Sequence, residues 1–326
     1  CRPDDSLLLV RALLLNGMPR EALDVRRGPS CRGIPDDDEY IQILYACGEY
    51  AETASAARAA YERTGNPGYA RSALLALARS NPGAAPEEYQ KFLSEKDDPG
   101  IRFDYVRLLK ERGEWRSALR ELGLLLTGKW VEPMFLLEEC EILWGLGERE
   151  SASLHFTRLI DRELEGLADP EFLAMLLSRY RAFLQTHYPV REAESLLLER
   201  LATQPHVVCL LCMASFYEDI GDQTEARSWY YRAYRSDFFY GGPEYARFCE
   251  KEGDVRECEK VMLYVINSIR KTGDLVRVAG MVMEDTHALY RRPRLRERLR
   301  ERLEEKASGL SSRGLEMLAL SLLVSA

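Results

Sequence analysis

The stretch Gly113-Glu114-Trp115-Arg116-Ser117-Ala118 decides how this chain is read, because five other stretches share its grammar. They are Gly17-Met18-Pro19-Arg20-Glu21-Ala22, Gly48-Glu49-Tyr50 with Thr53, Gly147-Glu148-Arg149-Glu150-Ser151-Ala152, Gly221-Asp222-Gln223-Thr224-Glu225-Ala226 and Gly253-Asp254-Val255-Arg256-Glu257-Cys258. In each, a Gly ends one amphipathic run, and a small residue or its substitute stands five positions later. The flanks have the helical period: Tyr105, Leu108 and Leu109 precede Gly113, and Ala118, Leu122 and Leu125 follow it. Two facing helices joined by a short turn are therefore expected at every copy. The small residue marks their close crossing, and Leu122, Phe156, Leu197, Tyr230 and Met262 fill the space beside it.

The intervals between these glycines are 31, 65, 34, 74 and 32 residues, so each long gap is close to twice a short one. Two degenerate copies are expected to fill the gaps. One turns at Asn81-Pro82-Gly83, between helices over 67–79 and 86–94. The other has Tyr188 in the Gly place, in Tyr188-Pro189-Val190-Arg191-Glu192-Ala193, and Pro205 closes its second helix. Strand signals are nearly absent: no sustained alternation, no Asn-Gly hairpin, no Gly-rich phosphate loop between a strand and a helix. Self-similarity near 34 residues with two helices per unit is the signature of a helical solenoid, whose units bury their faces only by stacking.

Composition agrees with a folded chain. Of 326 residues, 46% are hydrophobic and 30% charged, far from the low-hydropathy, high-charge regime of disorder. A net charge of −8 argues against an overall attraction to nucleic acid or anionic membrane, both of which need a positive field. No stretch approaches the roughly 20 apolar residues of a membrane-spanning helix. The sequence opens on Cys1 without an initiator Met, which reads as a processed or partial chain. A cytoplasmic location is expected, with a lipid-bearing Cys1 as the alternative. The eight cysteines, at 1, 31, 47, 140, 209, 212, 249 and 258, are scattered through apolar faces and do not form the dense framework of a small disulfide scaffold.

The residues resemble the tetratricopeptide repeat family, whose first helix carries a large residue, then Leu-Gly, then Tyr, and whose second carries Ala, a bulky residue and Pro. The best copy is 206–237, with Met213, Ala214 and Tyr217 in the first helix and Ala226, Tyr230 and Ala233 in the second. Tyr188 for Gly, Thr53 and Cys258 for Ala, and Arg26 and Arg200 at apolar places depart from the pattern. The expected fold is all-α: a right-handed superhelical solenoid of antiparallel helix pairs. About eight hairpins would span 1–270, with divergent capping helices over 271–326 (274–290, 293–307 and 311–323).

Several clusters invite chemistry. Cys209 and Cys212 form a Cys-x-x-Cys pair near His206, with Cys249 and Cys258 one unit later. Both thiols lie mid-helix in the apolar run 207–214, however, so packing thiols are expected and no metal site is assigned. Four His, at 155, 187, 206 and 287, are too dispersed for an acid-base centre, and no nucleophile motif is present. No catalytic residue and no cofactor are assigned. The acidic run Asp36 to Glu39 suits the positive end of the helix that follows. The segment Arg291 to Arg302 is strongly basic, with Leu295, Leu299 and Leu303 every four residues and glutamates interleaved. It reads as an amphipathic capping helix or as a phosphate contact. Among the aromatics of 229–240, Tyr231 and Phe239 are surplus to the repeat pattern and are candidates for a sticky surface.

The resemblance implies that first helices line a concave groove holding a peptide or a partner helix. Projecting the pattern places Arg107, Glu141, Trp144, Arg179, Ser215, Glu218 and Arg247 there. The family's carboxylate-gripping Lys and Asn are missing at the matching places. The sequence thus points to a non-enzymatic protein-binding scaffold. The alternative is a regulatory module of a larger protein, touching nucleic acid through the Arg-rich helix.

Overall fold

The computed structural model describes residues 3–15, 17–28, 31, 37–127, 131–166, 169–201, 206–271, 274, 278 and 292–307. Among these residues there are seventeen α-helices and no strand. The chain divides into two compact units, 1–159 and 160–326. The first holds α1 (Pro3–Leu15), α2 (Pro19–Arg27), α3 (Asp37–Ala46), α4 (Tyr50–Thr64), α5 (Pro67–Ser80), α6 (Ala85–Glu95), α7 (Pro99–Glu111), α8 (Trp115–Leu125), α9 (Pro133–Gly145) and most of α10 (Arg149–Glu165). The second holds α11 (Pro170–His187), α12 (Val190–Leu201), α13 (Val207–Asp219), α14 (Gln223–Ser236), α15 (Phe238–Lys251), α16 (Val255–Ser268) and α17 (Pro293–Ala307). The expected helices over 274–290 and 311–323 lie outside the described residues.

Each of the six glycines that announced a turn sits in the left-handed region, with φ between +67° and +83°. At Gly113 the amide bonds Lys110 O at 2.9 Å, and the Glu114 amide reaches back five residues to Leu109 O at 2.9 Å. The same pair of bonds closes the turn at Gly48, Gly147, Gly221 and Gly253, so the last carbonyls of each first helix are satisfied within the turn. Tyr188 needs no such backbone. Pro189 disfavours the helical region for the residue before it, and Tyr188 leaves the helix extended, at φ −125° and ψ 146°.

The crossing positions are as closed as their residue types demand. Ala22, Thr53, Ala118, Ala152, Ala193, Ala226 and Cys258 are all 0% exposed, and Leu122, Phe156, Leu197, Tyr230 and Met262 are at most 1% exposed. In the degenerate copy the same four-residue spacing is met by Ala85 and Tyr89. Thr53 fits an Ala place because its hydroxyl donates to Glu49 O at 2.8 Å. Arg26 and Arg200 are half-buried and pair with Cys31 O at 3.0 Å and with Asp161.

Consecutive helices pack in chain order within each unit: α1 through α9 in the first and α11 through α16 in the second, with α17 on α16. Successive first helices also touch, α5 with α7 in one unit, and α11 with α13 and α13 with α15 in the other. That double contact is how a repeat array buries each hairpin against the next. No described helix is long and apolar enough to cross a membrane.

Candidate functional site

In the second unit the sequence-predicted Ser215, Glu218 and Arg247 converge on one atom, the hydroxyl of Tyr230. Ser215 and Glu218 stand one turn apart on α13, Arg247 comes from the next first helix, α15, and Tyr230 reaches between them from α14. The Tyr230 hydroxyl donates to Glu218 Oε2 at 2.6 Å, accepts from Arg247 Nη2 at 3.0 Å and lies 3.3 Å from Ser215 Oγ. Glu218 also accepts from Lys251 Nζ at 2.7 Å and from Arg247 Nη2 at 3.3 Å, while Arg247 Nε donates to Glu244 at 3.0 Å. The fourth predicted residue of this unit, Arg179 on α11, is exposed.

The carboxylate is the buried part and the cations are its open edge. Only 10% of the Glu218 side chain is exposed, against 33% for Arg247 and 60% for Lys251. Burial pushes the Glu218 carboxyl up, but the bonds from Lys251 and Tyr230 and the charge of Arg247 outweigh it and hold it below the usual range. Burial, together with the bond to Glu218, keeps the Tyr230 phenol far above its ordinary value. Burial works against the Arg247 charge, yet Tyr230, Glu244 and Glu218 more than offset it. None of these groups titrates near neutrality. The cluster is a set of donors and charges held by its own hydrogen bonds.

In the first unit the same register carries a pair of opposite sense. Glu218 and Arg247 lie three residues before Gly221 and six before Gly253; Lys110 and Glu141 lie three before Gly113 and six before Gly147. Lys110 Nζ meets Glu141 at 2.6 Å and is also paired with the buried Glu138. Glu141 is thus occupied from within the chain. Trp144 on α9 is half-buried, and Arg107 on α7 is exposed, its guanidinium 5.3 Å from the Phe103 ring centroid.

Lys251, Glu244 and the hydroxyl of Tyr230 were not legible as members of the cluster from the sequence. Arg247 and Lys251, four apart on one helix face, were the available signal for a second cation. The pattern makes Tyr230 core, which its ring is, but does not say where a buried tyrosine's oxygen ends.

The other candidates differ in burial. Cys209 and Cys212 are buried within α13, and burial pushes both thiols up to about 12. Cys212 points at Leu177 O, 3.8 Å away. No group of three or more His, Cys, Asp or Glu suited to a metal occurs among the described residues. On α17, Arg298 pairs with Glu301 and Asn267, Arg302 with Glu305 and Ile269 O, and Arg292 with Glu250 and Glu259. Arg298 and Arg302 are thus neutralised within α17, while Arg292, just before it, pairs with glutamates of α15 and α16. Tyr231 is 45% exposed and Phe239 half-buried, while Tyr264 on α16, unremarked in the sequence, is 52% exposed.

No protein-family model matches the chain, and no curated protein matches it. Solved structures that superpose on it do so loosely. Human IFIT1, a dimer with m7Gppp-AAAA, is 14% identical over 98% of this chain and 90% of that one, with a TM-score of 0.35. A tetratricopeptide repeat protein from Parabacteroides merdae is 17% identical over 84% and 98%, at 0.32. The C-terminal part of a TPR repeat-containing protein from Cytophaga hutchinsonii is 11% identical over 85% and 97%, at 0.34. The function of the chain is therefore read from its own residues.

Proposed function

We propose that the chain is a non-enzymatic scaffold that binds a protein segment, an extended peptide or a helix, along its first-helix faces. The observation that carries this reading is the platform around Tyr230: a buried carboxylate fixed by three donors, with Arg247 and Lys251 at its open edge. Charges already held in place cost little further ordering when a partner arrives, and preorganisation of this kind favours affinity. Arg107, Glu141 and Trp144 in the first unit and Arg179, Ser215, Glu218 and Arg247 in the second are the proposed contact residues. Nucleic-acid contact through Arg291 to Arg302 is the less favoured reading, because four of the six described arginines there, Arg292, Arg298, Arg300 and Arg302, are ion-paired to glutamates.

Selection of a displayed random-peptide library on the full chain tests the proposal. Recovered peptides are expected to lose binding to Arg179→Glu or Arg107→Glu. Peptides that bind every variant as tightly as the unchanged protein would remove the first-helix faces from the reading. A salt-sensitive gel shift with RNA or DNA, in place of peptide binding, would shift the reading to the Arg-rich helix.

A further inference from the structure

The second unit carries a row of aromatic rings that the first-helix faces do not use. Tyr231 and Tyr234 come from α14, Tyr264 from α16 and Phe238 from the start of α15. Ring centroids are 6.2 Å apart from Tyr231 to Tyr234, 6.1 Å from Tyr234 to Tyr264 and 5.7 Å from Tyr264 to Phe238. Tyr231 is 45% and Tyr264 52% exposed, while Tyr234 between them is half-buried. The exposed rings stand at 60° and 89° to the plane of Tyr234, so Tyr234 is the floor of a trough and its neighbours are the walls.

The floor is held from beneath. The buried Tyr245 stacks on Tyr234 with centroids 5.9 Å apart and planes 20° apart. Gly242 lets α15 come close, since a Cβ there would meet Val265 Cγ2 at 2.5 Å and stand 3.6 Å from Tyr234 Cδ2. A ring already fixed by packing has little freedom to lose when a partner arrives, and tyrosine is enriched where binding energy concentrates.

The row offers apolar faces and hydrogen-bond donors. The hydroxyls of Tyr231, Tyr234 and Tyr264 have no hydrogen-bond partner among the described residues, and the half-buried Tyr234 keeps its oxygen open to solvent. The ionisable neighbours of Tyr234, besides Tyr264, are Lys260, Glu257 and Arg235. Glu257 is already bonded by Lys260 at 3.0 Å, and Arg235 is exposed with no ion-pair partner among the described residues. Two cations beside the rings disfavour a cationic guest, which the ring faces would otherwise attract. The complementary guest is apolar, rich in acceptors and poor in donors. Proline is that residue: it brings a flat apolar ring and a carbonyl but no N–H. Runs of proline are also extended before they bind, with backbone carbonyls solvated and free to accept.

We propose that this row binds a proline-rich segment of a partner protein in the polyproline II form, with prolines lying in the trough and carbonyls accepting from the tyrosine hydroxyls. Aromatic-lined grooves are a recurrent way of holding such segments. Two turns of a polyproline helix, about 19 Å, are long enough to follow the whole row from Tyr231 to Phe238. The site lies on second helices and is independent of the first-helix contact residues.

The test uses the full chain with fluorescein-labelled decaproline and, as control, a Gly-Ser peptide of equal length. Fluorescence polarisation is expected to show decaproline bound and the control unbound at peptide concentrations up to about 1 mM. Tyr231→Ala and Tyr264→Ala, both at exposed positions, are each expected to weaken decaproline about tenfold, the scale of losing one aromatic anchor. Tyr264→Phe, which keeps the ring, is expected to weaken it about fivefold with no fall in the thermal midpoint, the scale of one neutral hydrogen bond. Arg107→Glu and Arg179→Glu are expected to leave decaproline binding unchanged. Equal binding of decaproline and the control, or decaproline binding unmoved by both ring removals, overturns the proposal and leaves the first-helix reading standing. Weakening by Arg179→Glu as large as that by Tyr264→Ala places the peptide elsewhere and also overturns it. Sedimentation of the free chain checks the remaining occupant: a dimer that Tyr264→Ala dissolves would assign the row to a second copy of this chain and overturn the proposal.

Discussion

Replacing Tyr230 by Phe removes one oxygen and leaves the ring in its 1%-exposed place against Phe248, whose centroid is 5.0 Å away. The lost hydroxyl donates to Glu218 at 2.6 Å, and a hydrogen bond to an ionised group is worth about 1.5–3 kcal/mol. Lys251 and Arg247 still neutralise the carboxylate, so the expected cost is about 2 kcal/mol. Tyr89→Phe makes the same chemical change with the opposite sign. Its hydroxyl is buried without a partner among the described residues, and relief of an unsatisfied group recovers a share of a penalty of about 1–3 kcal/mol. A gain of about 1 kcal/mol is expected. Because a repeat array can open locally, a global midpoint averages the two places; hydrogen exchange of the α14 and α6 amides reads each separately. Protection should fall around Ala226–Ala233 in the first variant and hold or rise around Ala85–Phe92 in the second. If Tyr89→Phe loosens α6 as much as Tyr230→Phe loosens α14, the Tyr89 oxygen has a partner and the comparison between the two tyrosines fails.

Glu218, with its folded value depressed below the usual 4.5, contributes stability that is present above that value and lost as pH falls through its lower folded value. Urea midpoints taken through that acidic range should drop more steeply for the unchanged protein than for Glu218→Gln, and parallel curves would refute the linkage. A Cβ on Gly241 would stand 2.4 Å from Ala233 C and 2.5 Å from Ala233 O, backbone atoms that cannot rotate away. Gly241→Ala is therefore expected to part α14 from α15 and cost about 1–3 kcal/mol, read as a fall in thermal midpoint; an unchanged midpoint would refute the close crossing. Cys209 and Cys212, buried and pushed up to about 12, should resist a thiol reagent at mildly alkaline pH while the half-buried Cys47 reacts. Peptide mapping showing fast labelling of α13 in the folded protein would contradict that packing.

The fold was legible because its turns obey backbone geometry. A left-handed residue is needed where Gly113 and its counterparts close a helix, and glycine is the residue that tolerates it, so the six turns stand out in the sequence. The degenerate turn at Tyr188 was found only from the doubled interval and from Ala193, because Pro189 solves the same exit with an extended backbone. The proposed contact residues were half legible. Periodicity puts Ser215, Glu218 and Arg247 on first helices, but their meeting at one phenol depends on where the Tyr230 side chain ends, which no spacing records. Glu141 carried the same signal and is spent on Lys110. Tyr89 carried none, since an unpartnered oxygen is a property of its surroundings.

The residues that set the spacing of each hairpin, from Ala22 to Cys258, present no surface at all. Geometry and recognition are thereby written in separate alphabets along one chain. Lys110 and Glu218 each stand three residues before the glycine of their turn, opposite in charge, and neither occupies a closed crossing place. The proposed contact faces are therefore expected to accept substitutions one hairpin at a time.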